Sequence, residues 1–195
     1  MVAAGIARLK SAVFLDRDGT IIRQVELMHR VSQLRLLPGA ADAIRSLNEK
    51  HIPVVVVTNQ PVVARGIASE YEVGLVHEEL NRRLQGRDAH IDAFYFCPHH
   101  PNATLEQYRE ICLCRKPAPG MIQRAASDLG IDPRLSVMIG DTTQDVMTGS
   151  RAGVRTILVR TGHGGHDPWQ YECSPDWTVK NLKAAVRVWL EVNNL

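Results

Sequence analysis

A chain of 195 residues with 45% hydrophobic content can bury one compact core and has room for small inserts only. Its 23 basic and 21 acidic residues give a formal charge of +2 and are spread without long runs, which removes the electrostatic case for nucleic-acid or membrane-surface binding. Met1 to Lys10 holds no apolar core of signal-peptide length and no later run approaches a membrane span, so a cytoplasmic protein is expected. Four cysteines, three of them between Cys97 and Cys114, are too few and too clustered for a secreted disulfide scaffold. No repeat, low-complexity linker or heptad seam is visible, so one domain over 1–195 and a monomer are the default expectations.

In chain order, Ala12 to Leu15 is an apolar run that reads as a buried strand ending at Asp16 and Asp18. Residues 22–37 are irregular and read as a loop or hairpin flap over that strand end. Pro38 opens a helix with Ala40, Ile44 and Leu47 on one face, ending near His51. Ile52 to Val57 is almost continuously β-branched, the mark of a strand buried on both faces, and it ends in Thr58-Asn59-Gln60. Ser69, with Glu72 three residues on, caps a helix that runs to about Leu84. Ile91 to Phe96 is the third strand, followed by a cysteine-rich loop over 97–114. Pro119 to Leu129 is helical and stops at Gly130; Val137 to Gly140, Asp145 to Ala152 and Thr156 to Val159 follow as strand, helix and strand. A last amphipathic helix spans about Lys180 to Val192. Repeated β-α units of this length predict an α/β fold, a doubly wound parallel sheet.

Such a sheet gathers the carboxyl ends of its strands along one edge, where ligands bind. Asp16 and Asp18 share a side of their strand end, and Gly19 permits a tight path after them. Two adjacent carboxylates repel unless a counter-charge is present, which points to a hard divalent cation such as Mg²⁺. Thr58 and Asn59, Arg115 and Lys116, and Gly140-Asp141 with Asp145 reach the same edge. Each cluster alone has a plainer explanation as a strand end, a solvated charge or a helix cap. Together, three acids with Thr and Lys at several strand ends describe metal-assisted phosphoryl transfer.

Phe14-Leu-Asp16-Arg-Asp18-Gly-Thr20, Val57-Thr58-Asn59-Gln60, Arg115-Lys116-Pro117 and Ile139-Gly140-Asp141 with Asp145 resemble, in that order, the four motifs of the haloacid dehalogenase superfamily of phosphatases. The resemblance implies that Asp16 is a nucleophile forming an aspartyl-phosphate and that Asp18 is the general acid and then base. It implies that Thr58 and Lys116 hold the phosphoryl oxygens, and that Mg²⁺ is bound by Asp16, the Asp18 backbone carbonyl and Asp141, with Asp145 in support. Asn59, Gln60 and Arg115 join the expected substrate-binding set.

The cysteine-rich loop offers Cys97, Cys112 and Cys114 with one imidazole, a Cys₃His set suited to a closed, structural tetrahedral Zn²⁺. His100 competes with His99 for the fourth place; His99 is preferred because Cys-x-His mirrors Cys-x-Cys and agrees with the family pattern. A zinc-pinned loop would bring Arg115 and Lys116 into register. Cys-Pro-His-His-Pro followed by Cys-x-Cys-Arg-Lys-Pro resembles the phosphatases of D-glycero-D-manno-heptose 1,7-bisphosphate and, more distantly, of histidinol phosphate. The first group implies a small phosphorylated sugar as substrate and a place in nucleotide-heptose synthesis for lipopolysaccharide or a related glycan; the second implies histidinol phosphate. There is no space for a separate cap domain, so substrate choice falls to the flap, the loop after Thr58 and the zinc loop. Pro61-Val62 after Gln60, and Gln24-Val25-Glu26-Leu27 in the flap, depart from the frequent pattern at substrate-facing positions. A nucleic-acid 3′-phosphatase shares some motifs but lacks support in a near-neutral charge, and a non-enzymatic zinc-structured binding protein is disfavoured by the complete acid, Thr and Lys set. Thr161-Gly-His163-Gly-Gly-His166 reads as a solvated glycine loop near the same edge, with no assigned role, and Cys173 as an ordinary thiol.

Overall fold

The computed structural model describes residues 10–195; the reading of Met1 to Arg8 and Leu9 as lacking a signal core lies outside the described residues. Six strands form one wholly parallel sheet in the order β3-β2-β1-β4-β5-β6. They are β1 (Val13–Leu15), β2 (Val54–Asn59), β3 (Ala93–Cys97), β4 (Val137–Gly140), β5 (Arg155–Val159) and β6 (Trp177–Val179). The helices are α1 (Ala40–Asn48), α2 (Pro61–Ala64), α3 (Glu70–Gln85), α4 (Gly120–Leu129), α5 (Thr143–Ala152) and α6 (Leu182–Val192). The doubly wound parallel sheet expected from the sequence is the fold observed.

Strand periodicity sorts the core into two layers. Val54 and Val56 of β2, with Val13 and Leu15 of β1 and Val137 and Ile139 of β4, face α1, α3 and α6. Val55, Val57, Phe14 and Met138 face the other way, onto Met121, Ile122 and Ala125 of α4. The β-branched central strand is therefore apolar throughout because both of its faces are covered.

Several boundaries shift for local reasons. α1 starts at Ala40 because Gly39, at φ 78°, turns the chain into it after Pro38. Ile52 closes the turn after α1 through its N–H to the Leu47 carbonyl, so β2 starts at Val54 and instead runs on through Thr58 and Asn59, paired with Phe96 and Cys97. Ile91 is held by the Asn81 side chain, which delays β3 to Ala93. Thr142, not a residue nearer Asp145, caps α5, and Asp145 returns the bond to the Thr142 N–H, so the helix begins at Thr143. α2 and β6 are too short to leave a period in the sequence.

The flap over 22–37 is a hairpin-like excursion, bridged between Ile22 and Leu36 and between Arg23 N–H and the Arg35 carbonyl. Its Met28 and Leu34 are buried in the main core, and the Arg83 guanidinium donates to the Leu34 carbonyl at 2.7 Å. Among the described residues there is no insert of cap-domain size, and no helix is long and apolar enough to cross a membrane.

Candidate active site

The carboxyl ends of β1, β2 and β4, and the loops after β3 and β5, surround one cavity of about 490 Å³. Asp16 and Asp18 line it from β1, Thr58, Asn59 and Gln60 from β2, Arg115 and Lys116 from the end of the zinc loop, and Asp145 from α5. Gly19 stands at φ 81°, and a Cβ there would overlap the Asp141 carboxylate, so the turn after Asp18 can approach β4 only as glycine.

Lys116 is almost wholly buried, and all three of its hydrogens are taken: by Asp16 Oδ1 at 2.5 Å, Asp145 Oδ1 at 2.6 Å and the Val57 carbonyl at 3.1 Å. Its backbone is clamped by Asn59, which accepts from the Lys116 N–H at 3.0 Å and donates to its carbonyl at 3.1 Å. Asn59 also donates to Gln144 Oε1 at 2.9 Å, so this side chain acts as a strut for Lys116. Gln60 is likewise engaged, donating to Asp18 Oδ2 and to Thr58 Oγ1. Thr58 therefore accepts from Gln60 and has its own proton to offer into the cavity.

Asp16, Asp141 and Asp145 place buried carboxylate oxygens within 4.8 Å of one another. Burial pushes Asp16 up to about 7, with Asp145 and Asp18 adding to it against the pull of Lys116. Burial, then Asp16 and Asp145, push Asp141 up to about 8. Burial alone would depress Lys116, but Asp145 and Asp16 hold it above its ordinary value. Three buried acids against one ammonium is a surplus of negative charge that a hard, oxygen-seeking divalent cation neutralises, and the donor set fits Mg²⁺. Asp141 receives the His163 N–H at 2.7 Å, and its carbonyl accepts the Gly165 N–H at 2.8 Å.

The loop after β5 is thus part of the site, which the sequence reading did not assign. His163, Pro168 and Trp169 line the cavity opposite the flap residues Gln24 to Met28. The available signal was positive-φ glycine: Gly162, Gly164 and Gly165 are all left-handed, directly beyond a strand end. Arg65 and His100 also line the cavity beside Arg115, and both cations lower the His100 imidazole, after burial.

Cys97 Sγ lies 3.4 Å from Cys112 Sγ, and Cys114 Sγ lies 3.2 and 3.1 Å from these two. His99 Nδ1 is 3.5 Å from Cys114 Sγ, while its Nε2 faces the Glu110 carboxylate at 3.6 Å. His100 lies outside this group, with its Nδ1 accepting the Asn102 N–H. Hydrogen bonds from Cys97, Cys112 and His99 outweigh burial and bring Cys114 down to about 5, giving a thiolate among soft donors with a carboxylate behind the imidazole. This set fits tetrahedral Zn²⁺. Cys173 is apart, donating to the Thr143 carbonyl at 3.4 Å. The expected result is about one zinc per chain by elemental analysis of protein purified without chelator. Its removal should lower Tm, by about 4–8 °C for a loss of ~2 kcal/mol in a chain of this size. Protein that is active and zinc-free would remove the assignment.

A family model described as HAD-hydrolase-like matches residues 113–185. The D-glycero-β-D-manno-heptose-1,7-bisphosphate 7-phosphatase of Salmonella typhi is 38% identical over 178 residues, covering 91% of this chain and 94% of the relative. The enzyme of the same name from Photorhabdus laumondii is 42% identical over 152 residues, covering 77% and 81%. The crystal structure of the D,D-heptose 1,7-bisphosphate phosphatase from B. bronchiseptica, complexed with magnesium and phosphate, superposes with a TM-score of 0.83 at 29% identity, covering 93% of this chain and 99% of that one. Identity at this level over nearly the whole of its relatives places the chain: it belongs to the haloacid dehalogenase-like phosphatases, phosphoric monoester hydrolases, in the family of the heptose-bisphosphate phosphatases.

Proposed function

We propose that this protein hydrolyses the 7-phosphate of D-glycero-β-D-manno-heptose 1,7-bisphosphate, in the synthesis of a heptose-bearing glycan. The observation that carries the reading is the single cavity in which Asp16, Asp18, Thr58 and Lys116 meet, uncovered by any cap and walled by Arg65, His100 and Arg115. The near-full-length relatives bearing that substrate name support the choice of sugar and anomer.

The Asp16 carboxylate attacks phosphorus; an O–P bond forms to Asp16 while the bond from phosphorus to the sugar oxygen breaks. Asp18 gives its proton to the departing oxygen, then takes one from the water that attacks the aspartyl-phosphate, releasing phosphate and the Asp16 carboxylate. Thr58 donates its hydroxyl to a phosphoryl oxygen, and Lys116 exchanges one of its protein partners for another. Asp16, Asp141 and the Asp18 carbonyl would hold Mg²⁺, with Asp145 behind them, and the cation would supply charge neutralisation to the phosphoryl oxygens. Arg115, fixed by its bond to the His99 carbonyl at 3.0 Å, stands with Arg65 and His100 as the partner for the second phosphate.

The test is phosphate release from both anomers of the heptose bisphosphate, beside histidinol phosphate, with Mg²⁺ and again with the metal chelated. At least about tenfold higher kcat/KM for the β anomer, equivalent to ~1.4 kcal/mol of transition-state discrimination, and loss of turnover without Mg²⁺ are expected. Preference for histidinol phosphate would keep the chemistry and discard the sugar.

A further inference from the structure

His77 is the only titratable side chain on the buried face of α3, which otherwise buries Val73, Val76, Leu80 and Leu84. It lies flat on Phe94, with ring centroids 4.7 Å apart and planes within 13°, and meets the edge of Phe96 at 5.7 Å. Its Nε2 is 3.1 Å from Arg17 Nη1. A guanidinium only donates, so Nε2 accepts and the ring hydrogen sits on Nδ1. Burial, then the Arg17 charge, bring His77 down to about 3, so the acceptor stays available across the working pH range.

Arg17 is 1% exposed, although it stands between the two aspartates at the mouth of the cavity. Its Nε and Nη2 reach Asp18 Oδ2 at 3.0 and 2.8 Å, and Nη2 also donates to Gln60 Oε1 at 2.9 Å. That last bond orients the Gln60 amide so that Nε2 donates to the same Asp18 oxygen at 3.2 Å. Asp18 Oδ2 therefore receives three donors, while Asp18 Oδ1 is buried with no partner at all.

We propose that His77 is a positioning residue for the acid–base step: through Arg17 and Gln60 it holds the Asp18 carboxylate in the orientation from which Asp18 protonates the leaving alcohol. The Asp18 proton passes to the sugar oxygen as its bond to phosphorus breaks, and the ionised carboxylate then takes a proton from the attacking water. This rests on the phosphatase reading above. Removing the His77 acceptor leaves a buried Arg17 N–H unpaired, and the guanidinium turns to recover it, which releases both Arg17 and Gln60 from their set on Oδ2.

The experiment exploits leaving-group chemistry. kcat/KM reports steps up to departure of the first leaving group. An alkoxide needs protonation to leave, whereas p-nitrophenolate does not. In His77→Leu, kcat/KM for the sugar bisphosphate should fall about tenfold more than kcat/KM for p-nitrophenyl phosphate, a part of the roughly 10²–10⁴-fold that general acid catalysis supplies. His77→Gln, which places an acceptor at a similar reach, should restore most of that ratio. Equal losses on both esters in His77→Leu, no loss on either, or a ratio that Gln fails to restore would each overturn the proposal. The wild-type protein separates the two readings: if it turns over neither ester, the phosphatase reading falls, and if it turns over both while the variants keep their ratio, only His77 falls.

Discussion

Replacing Asp16 with Asn is expected to lower turnover by about a thousandfold or more while leaving the protein folded, because the amide keeps the shape of the side chain and loses its nucleophilicity. Stability should not suffer. Asp16 sits in a cluster with excess negative charge, and its carboxyl is raised to about 7 by that burial and repulsion, so deleting one charge relieves the cluster. The measurements are phosphate release with Mg²⁺ and a thermal melt of the metal-free protein at pH 8. An active variant, or a ³²P-labelled wild-type intermediate mapping to a residue other than Asp16, would remove Asp16 from its role.

Lys116 carries the second large effect. Substituting Met keeps the length of the stem and strands Asp16 and Asp145 in the interior without their cation. Breaking a buried pair from one side costs about 3–5 kcal/mol, and the lost phosphoryl contact should slow turnover by roughly a hundredfold or more. The stability deficit has a defined pH dependence. Asp16 titrates near 3.8 when unfolded and about 7 when folded, so between these values the folded chain binds more protons and raising the pH costs stability. Without Lys116 the folded value moves higher still, and the same window widens. Denaturant titrations of the metal-free proteins should show a larger gap between wild type and Lys116→Met at pH 8 than at pH 5. A gap of equal size at both would mean that lost packing, not stranded charge, is responsible.

Legibility from sequence tracked how local the cause was. The doubly wound sheet was readable because β2 is β-branched on both faces and because Ser69 with Glu72 is a self-contained cap. Asp16, Asp18, Thr58, Lys116 and Asp141 could be placed at one edge because Asp16, Asp18 and Asp141 follow β1 and β4 closely, Thr58 lies in the last residues of β2, and Lys116 stands shortly before α4. Partner choice was not readable. Nothing in Thr58-Asn59-Gln60 tells that Asn59 braces the Lys116 backbone 57 residues away or that Gln60 steers Asp18. Arg17, alternating with two site aspartates, would be expected to point to the far face; it is instead buried, with its Nη1 against His77, 60 residues on. The loop after β5 was read as solvated because its glycines carry no chemistry, yet its backbone N–H groups hold Asp141.

The flap sets the tempo of the site. Its base is bridged at Ile22 and Leu36, its Met28 and Leu34 belong to the core, and Arg83 on α3 ties its carbonyl down. A segment so anchored is a wall, not a door. On the function proposed above, substrate and products are expected to pass this wall without a flap closure before chemistry or a reopening before phosphate escapes. On that reading the departing sugar vacates the space through which water reaches the aspartyl-phosphate, and the order of events is set by traffic through one opening.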